Sequence, residues 1–466
     1  MSVTSQNHGA KLRHMLLSAA AGSALLVAAG LGAPAQAQSF DEALRLAYET
    51  NPTIDAARAD LRSVDELVPQ ARGGYLPSLI GDLSAGVEDI EQDTGTRSDG
   101  TINPLAASLS LSQNVYRGGR TVAEISQAKN TVFAQRGSLF DTEQDVLLAA
   151  ATAYFDVVLD QAVVELNKNN EGVLERQLQA SRDRFDVGEV TRTDVSQSES
   201  RLARAVSDRI AAEGNLNISR SEFARVVGQM PEILSQPDLN LPLPSAMEEA
   251  VNLALDANPT VLAAEFSEAA ARDGIDIEFG DLLPTITLDA TAQTTEEPSL
   301  FTDSTDSVAL TAAVRIPLYQ SGVASSQVRE AKQTAARARR LVDEAVRNVT
   351  DTTIAAWEAL ESSRAQIVSR NSEVDSAEIA LEGVRQEALV GSRTTLDVLD
   401  AEQELLDAQV SLVTAVRDEA VASFQLLAAI GSLTPQALEI DANIYDPTEH
   451  YERVEDKIWG IGTSLD

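Results

Sequence analysis

The chain has 466 residues, with 72 acidic against 36 basic side chains and a formal net charge of −36 at pH 7. It contains no cysteine and three histidines, which excludes disulfides and thiolate metal sites and leaves little for histidine-dependent catalysis. The sequence also lacks a nucleophile elbow, a phosphate-binding loop and metal-ligand spacing. Its acidity disfavours nucleic acid as a partner. We therefore expect a protein that is not an enzyme, with no cofactor and no bound metal.

Residues 1–37 have the pattern of a secretory signal peptide. Lys11 and Arg13 precede an apolar run over residues 15–32, and Ala35-Gln36-Ala37 fits the small-residue cleavage rule. An uncleaved anchor helix is the alternative, but the run is short and rich in Ala, Gly and Ser. No later segment is predicted as a transmembrane helix, so insertion into a membrane would have to use strands.

The sequence is duplicated, and the clearest copy is a stretch that begins at Val187 and again at Val390. Both stretches combine a glycine suited to the left-handed residue that ends a helix with the threonine–aspartate spacing of a capping box. Each is therefore predicted to be the tip of a helical hairpin, and the chain is predicted to consist of two similar halves. The residues that define the tips are Val187, Gly188, Thr191 and Asp194 in the first half and Val390, Gly391, Thr394 and Asp397 in the second.

Both halves run through the same predicted series of segments. Each half opens with a predicted helix that begins with a capping box, over residues 39–42 in the first half and 245–248 in the second. An Asn-Pro pair then interrupts the helix, at Asn51-Pro52 and at Asn258-Pro259. The charged end of the chain, from residue 447, is expected to be peripheral or mobile. The predicted organisation is helices over residues 38–77, a β-hairpin over 78–116, a helical hairpin over 117–230, a linker over 231–244, helices over 245–284, a second β-hairpin over 285–319, a second helical hairpin over 320–431 and a tail over 432–466.

The strands of both β-hairpins alternate apolar with polar residues. Leu79, Gly81 and Leu83 alternate with Asp82 and Ser84, and strands of about ten residues continue the pattern beyond a polar loop predicted over residues 91–104. This period is the signature of a transmembrane barrel strand, although a half-buried sheet of a soluble protein gives the same alternation. Four strands cannot close a barrel, and an open sheet edge is not tolerated in lipid. Two chains would give eight strands with a filled interior, whereas three chains give twelve strands around a lumen.

Two very long helices are predicted because no proline interrupts residues 120–185 or 323–389. Each would reach roughly 100 Å, and apolar residues such as Leu399, Leu406 and Val413 recur at coiled-coil spacing. Helices of this length cannot bury their apolar stripes within one compact domain, so they must pack on neighbouring helices. The predicted fold class is mainly α with transmembrane β, combining a long helical coiled-coil barrel with four strands per chain.

Taken together, the motifs closely resemble the TolC family of outer-membrane efflux proteins. The signal peptide is followed by an Asn-Pro helix, a strand hairpin, a Tyr-x-x-Gly turn at Tyr116 or Tyr319, a long helix and the Val-Gly-x-x-Thr-x-x-Asp-Val tip, with all but the signal present twice. The resemblance implies a homotrimer with a twelve-stranded barrel in the outer membrane and a helical tunnel across the periplasm. It also implies a periplasmic adaptor protein and an inner-membrane ABC or RND transporter as partners. Proteins secreted by the type I route, small toxic molecules, or both would pass through without any bond being made or broken.

The resemblance also assigns roles to residues at the tips. It implies that the tips form the periplasmic entrance, with Arg393 at the position of the family's gate arginine and Thr193 and Asp194 at the positions of its partners. Asp397 and Asp400 match the acids that ring the constriction, while Ala388 stands where the family has a gate tyrosine. The tip residues expected to dock the adaptor are Val187, Gly188, Thr191, Val390, Gly391 and Thr394.

Plainer interpretations of the same residues stay open. Asp194 and Asp397 complete capping boxes whether or not they also serve a gate. Asp397 and Asp400 also belong to a series of acids on one helix that a solvated surface would explain. For the whole chain, the alternative to an export duct is a soluble periplasmic coiled-coil scaffold. The sequence of an export duct does not identify the substrate that passes through it. The overall pattern looks slightly more like the protein-secretion type than the drug-efflux type.

Overall fold

The computed structural model describes residues 39–93 and 97–462, so the predicted signal peptide, residues 1–37, lies outside the described residues. The two halves contain the same main elements in the same order. The first half consists of α1 (Phe40–Thr50), α2 (Pro52–Asp65), α3 (Leu67–Arg72), a 3-10 turn (Gly73–Tyr75), β1 (Ser78–Ala85), β2 (Glu88–Asp93), β3 (Arg97–Ile102), β4 (Leu105–Arg117), α4 (Arg120–Asp186) and α5 (Arg192–Val227). The second half consists of α6 (Met247–Ala257), α7 (Pro259–Gly280), β5 (Thr285–Ser299), β6 (Thr302–Arg315), α8 (Val323–Leu389), α9 (Thr395–Ala429) and α10 (Glu449–Val454).

The Asn-Pro motif joins three helices in each half. The Asn51 side-chain oxygen accepts from the amide two residues on, which caps α2, and its Nδ2 donates to the Val226 carbonyl at the end of α5, 2.9 Å away. Asn258 caps α7 in the same way and donates to the Ala429 carbonyl at the end of α9, also at 2.9 Å. One side chain therefore begins one helix and satisfies an orphan carbonyl at the end of another.

The predicted capping boxes at the starts of the two halves differ in outcome. Ser39 caps α1 by accepting from the Glu42 amide at 3.1 Å. The box predicted over residues 245–248 is wrong, because Ala246 occupies the N-cap of α6 and has no side-chain acceptor. Ser245 stands one residue too early, and its amide and hydroxyl donate instead to Glu249 at 2.9 and 2.8 Å.

The strands form a four-stranded antiparallel sheet in the order β1-β4-β5-β6. Side chains in one cross-strand row are apolar, and those in a neighbouring row that points to the other face are polar, as strand alternation requires. Strands β1 and β6 are the two edges, each with a partner on one side within the described chain. The apolar row is Leu79, Leu111, Ala290 and Leu310, and the polar row is Asp82, Ser108, Gln293 and Ser307.

The polar loop predicted over residues 91–104 is wrong, because β2 and β3 form a second antiparallel hairpin over most of it. Both strands are largely polar, with Asp89 accepting a hydrogen bond from the Thr101 hydroxyl at 3.3 Å. A hairpin held by its backbone ladder needs no apolar face, so hydrophobic periodicity does not reveal it.

The two halves meet in an aromatic cluster around Phe40. Its ring centroid lies 5.1 Å from that of Tyr154, 5.3 Å from Phe155 and 5.4 Å from Phe424. Tyr154 and Phe155 belong to α4 and Phe424 to α9, so the first helix of the chain joins both hairpins at one point. Aromatic pairs at these separations add to the burial of their large apolar surfaces.

Helices α4 and α8 are 67 residues long each, as the absence of proline predicts. Contrary to the sequence prediction, α4 is long and apolar enough to cross a membrane by length and composition alone. Packing accounts for its apolar run, because these side chains belong to the central core: Leu147, Ala150, Ala151, Tyr154, Phe155 and Val157.

The tail is docked over residues 445–456, so the end from residue 447 is peripheral, as expected, and contacts the helices there. His450 Nδ1 lies 3.0 Å from an oxygen of the buried Asp65, and Val454 is buried. The guanidinium of Arg58 lies over the Tyr445 ring and that of Arg136 over the Tyr451 ring. These cation–π contacts stabilise the docked segment. Because they join residues far apart in the sequence, no sequence pattern within the tail predicts them.

Candidate functional site: the hairpin tips

The two hairpin tips have the same backbone conformation. Gly188 and Gly391 follow α4 and α8 with φ of +82° and +80°. Their amides donate to the carbonyls of Phe185 and Ala388, three residues back, at 2.9 and 3.1 Å. A Cβ at either glycine would meet nothing within 4 Å, so only the left-handed backbone requires glycine here.

Both predicted capping boxes are present at the tips. Thr191 caps α5, and an Asp194 oxygen accepts from the Thr191 amide and hydroxyl at 2.8 Å each. Thr394 caps α9, and Asp397 accepts from its amide and hydroxyl at 2.8 and 2.7 Å. These bonds hold the pKa of Asp397 below its ordinary value of 3.8. Its carboxylate therefore supports the cap at neutral pH, and the support is lost only as the pH falls through that lowered value.

Arg393 bonds within its own tip. Its Nε donates to a Glu387 oxygen at 2.8 Å, and both side chains are about half exposed. That hydrogen bond and the Glu387 charge raise the pKa of Arg393. Within the described chain no hydrogen bond or ion pair joins Arg393 to Thr193 or Asp194, the partners that the resemblance implies.

Asp400 joins the two hairpins within one chain. Its carboxylate accepts from Arg201 of α5, a residue that the sequence analysis did not single out. The position equivalent to Arg201 in the second half is Glu404, and the one equivalent to Asp400 in the first half is Gln197. The link therefore has no counterpart in the other half and breaks the internal symmetry of the tips.

Two further ion pairs brace the hairpins near their tips. Arg182 of α4 donates to Glu199 of α5 at 2.8 Å, and Arg385 of α8 donates to Glu402 of α9. The members of the second pair lie 203 residues after those of the first, the same spacing as the tips. Comparison of the two halves at that spacing would have found both pairs. The first pair is half exposed, and pairs of this kind stabilise by about 0.5 kcal/mol, whereas Glu402 of the second pair is largely buried.

The described residues, 39–93 and 97–462, contain no group of three or more His, Asp or Glu side chains placed to hold a metal ion. The tips instead present exposed valines, Val187 and Val390, beside charged side chains. Such a surface can bind another protein or close on itself.

A match to a family model identifies the kind of protein to which these tips belong. The model described as outer membrane efflux protein matches residues 43–229 and again 250–432, which correspond to the two halves. The chain belongs to the outer membrane efflux protein family. It is an outer-membrane export channel, and the sequence-based assignment is confirmed.

Individual relatives agree with the family. The chain is 34% identical over 436 residues to the outer membrane efflux protein BepC of Brucella suis, covering 93% of this chain and 94% of BepC. It is 26% identical to the outer membrane protein TolC of Vibrio cholerae, covering 93% and 98% of the two chains. The crystal structure of the outer membrane protein VceC of Vibrio cholerae has the same fold, with a TM-score of 0.73 at 20% identity over 84% of this chain and 96% of VceC.

Substituting Gly391 with alanine should loosen the second tip. A left-handed non-glycine residue costs about 1–2 kcal/mol, so we expect roughly tenfold faster amide exchange in peptides that span the tip. Hydrogen–deuterium exchange with mass spectrometry measures this.

Gly383→Ala is the matched control, because Gly383 is exposed within α8 and has nothing within 4 Å of its Cβ position. Alanine there should stabilise the helix by about 0.5–1 kcal/mol and slow the exchange. Equal exchange in the two variants would contradict the left-handed tip.

Proposed function

We propose that three copies of the chain assemble into one export duct, with twelve strands closing a barrel in the outer membrane. The observation that carries this proposal is the pair of open edges, β1 and β6, on a sheet with one apolar and one polar face. Every residue of both edge strands is exposed in the single chain. Lipid offers no hydrogen-bond partner to an edge, so β6 of one copy must pair with β1 of the next.

Three of the four strands are long enough for this role, while β1 contains 8 residues. Strands β4, β5 and β6 contain 13, 15 and 14 residues, more than the roughly 9–11 residues that a tilted strand needs to cross the hydrocarbon core. The apolar face would contact lipid, and the polar face would line water. Twelve strands leave a lumen that eight strands would fill with side chains.

The helices would continue the duct across the periplasm. Each 67-residue helix extends about 100 Å at 1.5 Å per residue. Large apolar side chains remain exposed along the hairpins of the single chain, including Ile210 and Ile218 on α5 and Val368 and Ile379 on α8. Neighbouring copies would cover them and complete the coiled-coil packing.

The trimer can be tested by disulfide formation between edge strands, because the natural chain has no cysteine. Asp82→Cys on β1 is combined in turn with a cysteine at each polar-face position of β6 from 307 to 315, since the tilt of a closed barrel staggers the junction. We expect one or two of these pairs to give covalent dimers and trimers on denaturing gels.

The control is Asp82→Cys with Ser108→Cys, which face each other on β1 and β4 of one chain. This pair should link within a chain and give no oligomer. If no β1–β6 pair links separate chains, the shared barrel is refuted.

We further propose that the tips form the periplasmic entrance and that Arg393, Thr193, Asp194, Asp397 and Asp400 close it. Three copies would bring six tips together, with Asp397 and Asp400 supplying six carboxylates around the opening. Arg393 is half exposed and held by one exposed pair, so it can exchange Glu387 for a carboxylate of a neighbouring copy at little cost. A periplasmic adaptor would dock on the tip residues around Val187 and Val390, and an inner-membrane transporter would supply the cargo.

Arg393→Ser should raise single-channel conductance in planar bilayers, because the closed tips lose a tether at each subunit. The control is Arg370→Ser on α8, which removes the same charge from a pair with Glu373 about 30 Å from the tip. That variant should conduct as the wild type does. Unchanged conductance in Arg393→Ser would refute the gate assignment.

A further inference from the structure

The segment that follows α10 exposes large apolar side chains beside α3. Trp459 is 91% exposed, and Ile458 and Ile461 are also largely exposed. Residues 457–462 line a groove together with Glu66, Pro69 and Gln70. An exposed Ile-Trp-Gly-Ile stretch is costly in water, so a partner is expected to cover it.

The segment is anchored to α3 at its start, and a hydrogen bond within it closes a turn. Arg72 of α3 donates to the Glu455 carbonyl at 2.8 Å and to its carboxylate at 3.2 Å, and it also pairs with Asp456. Beyond it, Lys457 Nζ donates to the Gly462 carbonyl at 2.8 Å and closes a turn around Trp459. The apolar side chains are thus presented by a fixed turn.

The groove lies just below the sheet. Gly74, directly after α3, packs against Arg117 at the end of β4 and Thr121 at the start of α4. From Gln70 to Gly74 the chain rises about 6–8 Å at 1.5–2.0 Å per residue. The base of the sheet is therefore about 6–8 Å from the groove, and the headgroup layer of a bilayer is about 5–8 Å thick on each side. A tryptophan side chain can cover the distance that remains.

The chemistry of the surroundings favours lipid. Tyr75, Leu76 and Leu79 are exposed and continue the apolar surface from α3 onto the apolar face of the sheet. Tryptophan is enriched where a membrane meets water, since its ring is apolar and its N–H is polar. Arg72 pairs with both acids that precede the turn and offsets one of their two charges, and Lys457 is the cation within the turn that can bind a lipid phosphate.

We propose that residues 458–461 insert into the periplasmic headgroup layer of the outer membrane and fix the depth of the barrel. The proposal rests on the proposed insertion of the sheet. It assigns a second lipid contact to each chain, outside the strands and carried by the docked tail.

Tryptophan fluorescence tests the proposal, because the chain has two tryptophans, Trp357 and Trp459. Trp357→Phe leaves Trp459 as the reporter in vesicles of phosphatidylcholine brominated close to the headgroup. We expect its emission to fall to about half of that in unbrominated vesicles, as for a side chain at the interface. If Trp357→Phe does not fold, the emission of Trp459 is obtained by subtracting the emission of the Trp459→Phe variant from that of the wild type.

The matched control is Trp459→Phe, which leaves Trp357 on α8, about 50 Å along the helix from Val323. Its emission should not respond to bromine. Conductance is measured on the same vesicles, so unquenched Trp459 in conducting vesicles overturns the anchor and leaves the channel intact. A blue-shifted but unquenched Trp459 would assign the turn to a second copy and would also overturn the proposal.

Discussion

The constraint on which the structure depends is the hydrogen bonding of strand edges in lipid. A four-stranded sheet with open edges at β1 and β6 is a poor structure in water and an impossible one in a bilayer. Its apolar row, from Leu79 to Leu310, needs a non-aqueous surface, while the polar row on its other face needs water. Closure with neighbouring copies is the arrangement we propose, because it pairs both edges and separates lipid from water. The long helices then follow from the same requirement, since their exposed stripes need the neighbours that the barrel brings together.

Duplication gives each chain two similar tips, so the proposed trimer would have a nearly sixfold entrance. The Asn-Pro caps, the left-handed tips, the capping boxes and the Arg–Glu braces all recur at nearly constant spacing, so each half builds a similar hairpin. The exception is the bond from Arg201 to Asp400, which has no equivalent in the other half. The two tips of one chain are therefore similar in backbone but differ in this bond.

The parts of the fold that depend on residues close together in the sequence could be predicted from it. The parts that depend on contacts between distant residues could not. Gly188, Gly391 and the two capping boxes were predictable because each depends on residues three positions apart. The period of two revealed β1 and β4 to β6, but it missed β2 and β3, which contain one large apolar residue each, Ile90 and Ile102. The docked tail was unpredictable because Arg58, Arg72 and Arg136 hold it from several hundred residues away. At the tip, the sequence located Arg393 but not Glu387, since several acids lie within its reach and only geometry selects one.

The mass of the intact assembly tests the central claim most directly. Native mass spectrometry of the protein extracted from outer membranes in detergent should give three copies of the chain and no stable smaller species. The same protein should precipitate when the detergent is removed, because the apolar face of the closed barrel is then exposed to water. A single chain that remains folded and dissolved without detergent would contradict the account, since its sheet would then tolerate two open edges and an uncovered apolar face.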